Sequence, residues 1–176
     1  FRRVLFRSLM YSGSMNKKQG LDLLAEVIHQ LADLPQLVWL LAGEGPTKAE
    51  LVKATQGLPN LRHLPLQPME RLNDWLNAAD IHLLPQKAEA ADLVLPSKLL
   101  GILASGRPVV ASSPAGSELA ALAEQAGACV PPGDINSFSM ALRKLIASPQ
   151  HRADAGRRAR EIAEKRFGMD AVLDCF

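Results

Sequence analysis

Short apolar runs without polar alternation take turns along the chain with longer segments in which apolar side chains recur every three or four residues. The first pattern is that of a strand buried on both faces, the second that of an amphipathic helix. Runs at 9–13, 37–42, 61–64, 80–84, 108–111 and 128–130 predict strands. Helices are predicted over 20–34, 46–56, 69–79, 96–105 and 117–125, from an N-cap at Asp134 to about residue 148, and over 151–166. In the first helix Leu21, Leu24, Val27, Ile28 and Leu31 share a face, with Asp22, Glu26 and Gln30 between them. The segment 85–95 has a charged centre and no period, and reads as a loop. Strands so separated predict an α/β fold, a Rossmann-like doubly wound parallel sheet of about six strands with helices on both faces. In such a sheet ligands lie outside the carboxyl ends of the strands, which directs attention to the loops that follow them.

Composition narrows the class further. Apolar residues make up 48% and charged residues 22% of the 176, which supports a sizeable core and excludes disorder, collagen and coiled coil. No apolar run approaches the roughly 18–20 residues that span a bilayer, and no signal with a long apolar centre opens the chain. Cys129 and Cys175 are far apart, without metal or redox spacing, and read as reduced bystanders in a cytoplasmic protein. Residues 1–8, FRRVLFRS, are what a common sequencing-library adapter encodes in translation. They are set apart as an adapter-derived artefact, which makes the chain a fragment of a longer reading frame; a genuine basic leader is the alternative. Without Arg2, Arg3 and Arg7 the 20 cationic and 18 acidic side chains become 17 and 18, so the net charge moves from +2 to −1. The composition therefore gives no case for nucleic acid.

Three loops carry candidate chemistry. Gly13-Ser14-Met15-Asn16-Lys17-Lys18-Gln19-Gly20 is a glycine-bearing turn with two lysines ahead of a helix, suited to a phosphate, although it is neither a dinucleotide fingerprint nor a Walker A loop. Gly43-Glu44-Gly45-Pro46 follows the most apolar strand, with glycines for a tight turn and proline for a first helical position. Leu95-Pro96-Ser97-Lys98 opens a helix with a hydroxyl and a lysine in its first turn, which forms an anion site; the plainer reading makes Ser97 a cap and Lys98 a solvated charge. His29, His63, His82 and His151 lack metal spacing, and His82 reads as a core residue. Arg157, Arg158 and Arg160 read as a solvated helix face balanced by Asp154, Glu161 and Glu164.

Taken together and in order, these motifs form a familiar series. Residues 12–20, LLAGEGP, NAADIHLLP, LPSKLLGILASGRPVVAS, GSELA and AGACVPPGD resemble the donor-binding half of family 4 (group 1) retaining glycosyltransferases over about 9–166. Within that family the pattern is most similar to the bacterial exopolysaccharide type, including colanic-acid fucosyltransferase-like enzymes. The resemblance implies the C-terminal half of a two-domain GT-B enzyme whose N-terminal acceptor domain is missing here. It implies a nucleotide-sugar donor, a lipid-linked or glycan acceptor, no cofactor and no metal. The full-length enzyme would be cytoplasmic, with peripheral membrane association at the inner face of the cytoplasmic membrane as one option.

Carried over by residue, Gly13 and Lys18 match the diphosphate loop, Gly43 and Gly45 the turn near the nucleotide, and Ser97 and Lys98 the helix N-terminus that cradles phosphate and sugar. Lys18 and Lys98 would stabilise the leaving diphosphate. Two positions depart from the family pattern. Ser14 stands where an arginine is usual, and Leu93 and Gly101 stand where a pair of glutamates is usual, so ribose recognition by that pair does not carry over. A GT-B sugar-nucleotide epimerase and a non-catalytic nucleotide-binding module are the alternatives. The tail 167–176 restarts an apolar pattern, with Met169, Val172, Leu173 and Phe176 on one helical face, and is expected at the seam with the other domain.

Overall fold

The computed structural model describes residues 7–90 and 95–168. Within them six strands alternate with seven helices. The strands are β1 (Arg7–Ser12), β2 (Leu37–Ala42), β3 (Leu61–Leu64), β4 (Ile81–Leu84), β5 (Val109–Ser112) and β6 (Gly127–Val130). The helices are α1 (Leu21–Gln30), α2 (Lys48–Ala54), α3 (Leu72–Asn77), α4 (Ser97–Ala104), α5 (Glu118–Gln125), α6 (Ile135–Ala147) and α7 (Pro149–Phe167). Every strand pairing is parallel, in the order β3-β2-β1-β4-β5-β6. This is the doubly wound arrangement expected, and its direction reverses between β1 and β4.

The apolar runs become strands because both of their faces are covered. Leu9, Met10 and Tyr11 of β1 are fully buried, as are all four residues of β5. Alternate side chains feed opposite faces. Leu83 and Val110 join the cluster with Leu24, Ile28, Phe138 and Leu142 of α1 and α6. Leu84, Val109 and Ala111 join the cluster with Leu99, Leu103 and Leu122 of α4 and α5. Strand β1 begins at Arg7, earlier than expected. Its Arg7 amide donates to Gln36 O at 3.0 Å, and Ser8 pairs with Val38 while its amide donates to Asp80 Oδ2 at 2.9 Å. Helix α1 stops at Gln30, where Leu31 leaves helical geometry. Asp134 caps α6 as expected, accepting from the Ser137 amide at 2.9 Å.

The arginines of α7 do more than the sequence suggests. Arg157, Arg158 and Arg160 are exposed as expected, and Arg160 pairs with Glu164 at 2.7 Å, but several arginines of the helix also tie the end of another helix. Arg152 donates to Leu145 O at 2.5 Å and Ile146 O at 2.9 Å of α6, Arg158 to Gln125 O of α5 at 2.7 Å, and Arg160 to Ala104 O of α4 at 2.7 Å. Cations suit these positions because the terminal carbonyls of a helix lack partners and carry partial negative charge. Arg157 has the solvated role alone, paired with Asp154 at 2.5 Å. The contact is close because Gly156 has no side chain: a Cβ there would overlap Gly106 O, just past the end of α4.

A test follows from that contact. Alanine is the better helix former by about 1 kcal/mol, but the clash at Gly156 is with backbone that cannot step aside. Gly156→Ala is expected to destabilise the chain by about 1–3 kcal/mol in denaturant unfolding. Arg157→Ala, on the exposed side of the same helix, should stay within about 0.5 kcal/mol of the parent.

Candidate functional site

The site lies at the carboxyl ends of β1 and β4, where the sheet order reverses. Here the loops after β1 and β2 are pressed into one block. The Met15 amide donates to Glu44 O at 2.8 Å, while Met15 O accepts from the Thr47 amide at 3.1 Å and from Thr47 Oγ1 at 2.9 Å. A Cβ on Gly43 would overlap Gly13 O, and one on Gly45, at φ +150, would overlap Met15 O. Gly43 and Gly45 are thus required for the approach of two backbones, beyond the tight turn that the sequence suggested.

Lys98, the second residue of α4, extends over this block. Its Nζ donates to Tyr11 Oη at 3.0 Å and to Gln19 Oε1, and stands 4.7 Å from the centre of the Tyr11 ring. It also sits against Gly13, where an added Cβ would lie 3.0 Å from Nζ. Both hydrogen-bond partners are neutral, and among the described residues no carboxylate lies within ion-pair distance of Lys98. Burial without a counter-charge disfavours the ammonium and pushes Lys98 down to about 8. The same burial raises Tyr11 well above its ordinary value, so its hydroxyl stays neutral. A half-buried cation whose partners among the described residues are neutral has the electrostatics that an anion site requires.

The other residues singled out from the sequence fall around this centre. Ser97 is exposed in the first turn of α4, and Pro96 rather than Ser97 holds the N-cap position. Lys18 is exposed in the 3-10 turn Lys17–Gln19, where its carbonyl accepts from the Lys87 amide at 3.1 Å. The neighbour that turns inward to Lys98 is Gln19. Lys17 lines a different space, a cleft of about 480 Å³ between α1 and α2 that also holds Asp22, Glu50 and Lys87. Gly101 faces α3, with Leu76 Cδ1 3.2 Å from where its Cβ would be. Leu93 and the tail 169–176, including Cys175, lie outside the described residues. His82 is a core residue as expected: Nε2 donates to Leu76 O at 3.0 Å, and burial pushes it down to about 4. Burial pushes the Cys129 thiol up to about 11, which leaves it unreactive. Among the described residues no group of His, Cys, Asp and Glu could hold a metal ion, and no helix is long and apolar enough to cross a membrane.

Tyr11 and Gln19 were missed as site residues. For Tyr11 a signal was present: a tyrosine in a buried strand needs a partner for its hydroxyl, two residues before a glycine loop. Gln19 carried no such signal.

In doubly wound domains ligands are taken at the switch point of the sheet, which is where Lys98 stands among the described residues. Comparison with known proteins narrows the class. The sequence profile described as "Glycosyl transferases group 1" matches residues 7–148, and the chain belongs to that family. A protein of Escherichia coli (strain K12) that carries the name colanic acid biosynthesis glycosyl transferase WcaI is 38% identical over 173 residues. That match covers 96% of this chain and 41% of the relative, so the chain spans about two fifths of the relative's length. Among solved structures, sucrose-phosphate synthase from Thermosynechococcus elongatus superposes with a TM-score of 0.81 at 22% identity, over 98% of this chain and 44% of that one. Anabaena Alr3699/HepE, in complex with UDP and glucose, superposes with a TM-score of 0.76 at 17% identity, over 97% of this chain and 48% of that one. The fold is one Rossmann-like half of a GT-B glycosyltransferase.

The buried charge has a consequence for stability. Lys98 is lowered from 10.5 to about 8 in the folded chain, so between these values the unfolded state binds more protons than the folded one. Burial of the charge therefore costs stability in full below about pH 8, and the cost fades as pH rises towards 10.5. Lys98→Met should gain stability over the parent at pH 7, and this difference should shrink steadily from pH 8 to 10.5. Unfolding curves for both chains across that range measure it, and a difference independent of pH would contradict the assignment.

Proposed function

We propose that the chain is the donor-binding half of a retaining glycosyltransferase that moves a sugar from a nucleotide-sugar to a lipid-linked or glycan acceptor in bacterial exopolysaccharide synthesis. The observation that carries this reading is the ammonium of Lys98 over Gly13 at the switch point, with no carboxylate partner among the described residues. A departing nucleoside diphosphate is the charge such a site lacks. As the glycosidic bond to the donor breaks, negative charge grows on the diphosphate, and a cation already fixed in place stabilises it without reorganising. The N-terminus of α4 adds its partial positive charge on the same side, with the Ser97 hydroxyl exposed beside it. Lys18, on the loop, would supply charge to the same leaving group. This neutralisation needs no metal ion from the protein.

Support comes from the family match, from the name of the 38% identical relative and from the UDP and glucose complex of a fold neighbour. The acceptor would be met mainly by a second domain, in the part of the relative that this chain does not span, and the enzyme would work in the cytoplasm.

Two outcomes are expected. UDP should bind the chain, and Lys98→Ala should weaken it by about 1–3 kcal/mol, the usual range for a charge-assisted hydrogen bond. Lys17→Ala, at the separate cleft, should change it far less; calorimetry decides, and equal small losses would return Lys98 to the role of a surface charge. The 176-residue chain by itself should bind UDP without transferring sugar, since one sheet domain forms one wall of a cleft and cannot align donor and acceptor. Transfer from a nucleotide-sugar to a lipid acceptor by this chain alone would refute the two-domain assignment.

A further inference from the structure

Lys98 is held firmly by groups that leave its charge intact. An ammonium has three N–H donors and no acceptor. Two of them go to Tyr11 Oη and Gln19 Oε1, which leaves one for a ligand. Nζ stands beside Gly13, where the missing side chain leaves the room that the end of Lys98 occupies. The Tyr11 hydroxyl gives its own proton to Ser14 O at 2.5 Å, so it meets Lys98 as an acceptor. Through that one oxygen the Gly13–Ser14 backbone, β1 and the start of α4 are joined. Gln19 contributes an amide oxygen, equal in reach to a carboxylate but without its charge. From the elements packed against Lys98, the titratable group that faces it is Tyr11, and Gln19 faces it from the turn. No carboxylate does so among the described residues.

We propose that Tyr11 and Gln19 are positioning residues that hold the Lys98 ammonium in place without neutralising it, and so reserve its charge for the diphosphate of the donor. This rests on the reading of the site given above and adds the reason for an amide at position 19. Glutamate there would have nearly the same shape, would accept the same hydrogen bond and would be a better partner for the folded chain. It would also answer the charge from within and leave a diphosphate to compete with it.

The test uses the full 176-residue chain and two readouts: the titration midpoint of the Lys98 ammonium by nitrogen-detected NMR, and UDP affinity by calorimetry. Gln19→Glu is expected to raise the midpoint by about one pH unit or more and to weaken UDP about tenfold or more at pH 7. Tyr11→Phe is expected to lower the midpoint, because one acceptor is lost, and to weaken UDP as well. A midpoint unmoved by both substitutions would overturn the proposal, as would a Gln19→Glu chain that binds UDP like the parent while Lys98→Met loses it. UDP binding that survives Lys98→Met is a different result: it removes the diphosphate reading itself, and the reservation with it, before position 19 is altered. Should the glutamate chain not fold, the Tyr11→Phe midpoint decides, since that change removes one hydroxyl from a ring that otherwise stays packed.

Discussion

At the carboxyl end of β1 the backbone has no room for a side chain. Gly13 is bounded on one side by the Lys98 ammonium and on the other by the backbone at Gly43, whose own Cβ would strike Gly13 O. The loops after β1 and β2 can bond as one block through Met15, Glu44 and Thr47 only because Gly43 and Gly45 are bare. The position of the cation then follows. Tyr11 rises from β1 beneath the block, gives its proton to Ser14 O, and presents its ring and a lone pair to Lys98. A side chain at Gly43 would separate the loops and one at Gly13 would press on the end of Lys98, and in either case the ammonium would lose its fixed station.

The site spends stability where the rest of the surface is nearly neutral in this respect. Lys48 with Glu44, Arg143 with Asp33 and Arg166 with Glu118 are solvent-facing pairs whose net contribution is small. Lys98 has no such partner among the described residues and is half removed from water. Its cost is carried by the two apolar clusters on the faces of the sheet, which share strands β4 and β5. This is the division expected of an active surface: a rigid, well-packed base and one charge left unsatisfied until a ligand arrives.

Most of the fold was legible in the sequence because a doubly wound sheet writes each central strand as a short apolar run and each helix as a period of three or four. All six strands and the seven helices fall where those patterns put them, with ends displaced by a few residues. The displacements have local causes, such as the Ser148 cap that starts α7 at Pro149. Half of the site was legible too, since glycine and lysine in the loops after strands state their chemistry by type. The relations between residues were not. Lys98 meets Tyr11 across 87 positions and Gln19 across 79, and Arg160 reaches Ala104 across 56. No period or spacing encodes such distances. The reach of the arginines to the ends of other helices was therefore not legible, and neither was the approach of Gln19 to Lys98.

Helix α7 gives the domain a direction in time. It lends Ala155 to the cluster on one face of the sheet and Ala159 to the cluster on the other, and its arginines close the ends of α4, α5 and α6. All of this is translated after the strands and loops that form the ligand edge. A nascent chain that has reached residue 148 holds every strand but neither finished cluster, and three helices still end in unanswered carbonyls. At ordinary rates of synthesis the missing 19 residues of α7 take about one to four seconds to follow. For that interval the ligand edge is complete in sequence but unsupported from behind, so the chaperones that meet the growing chain would find its apolar surface at the back of the sheet.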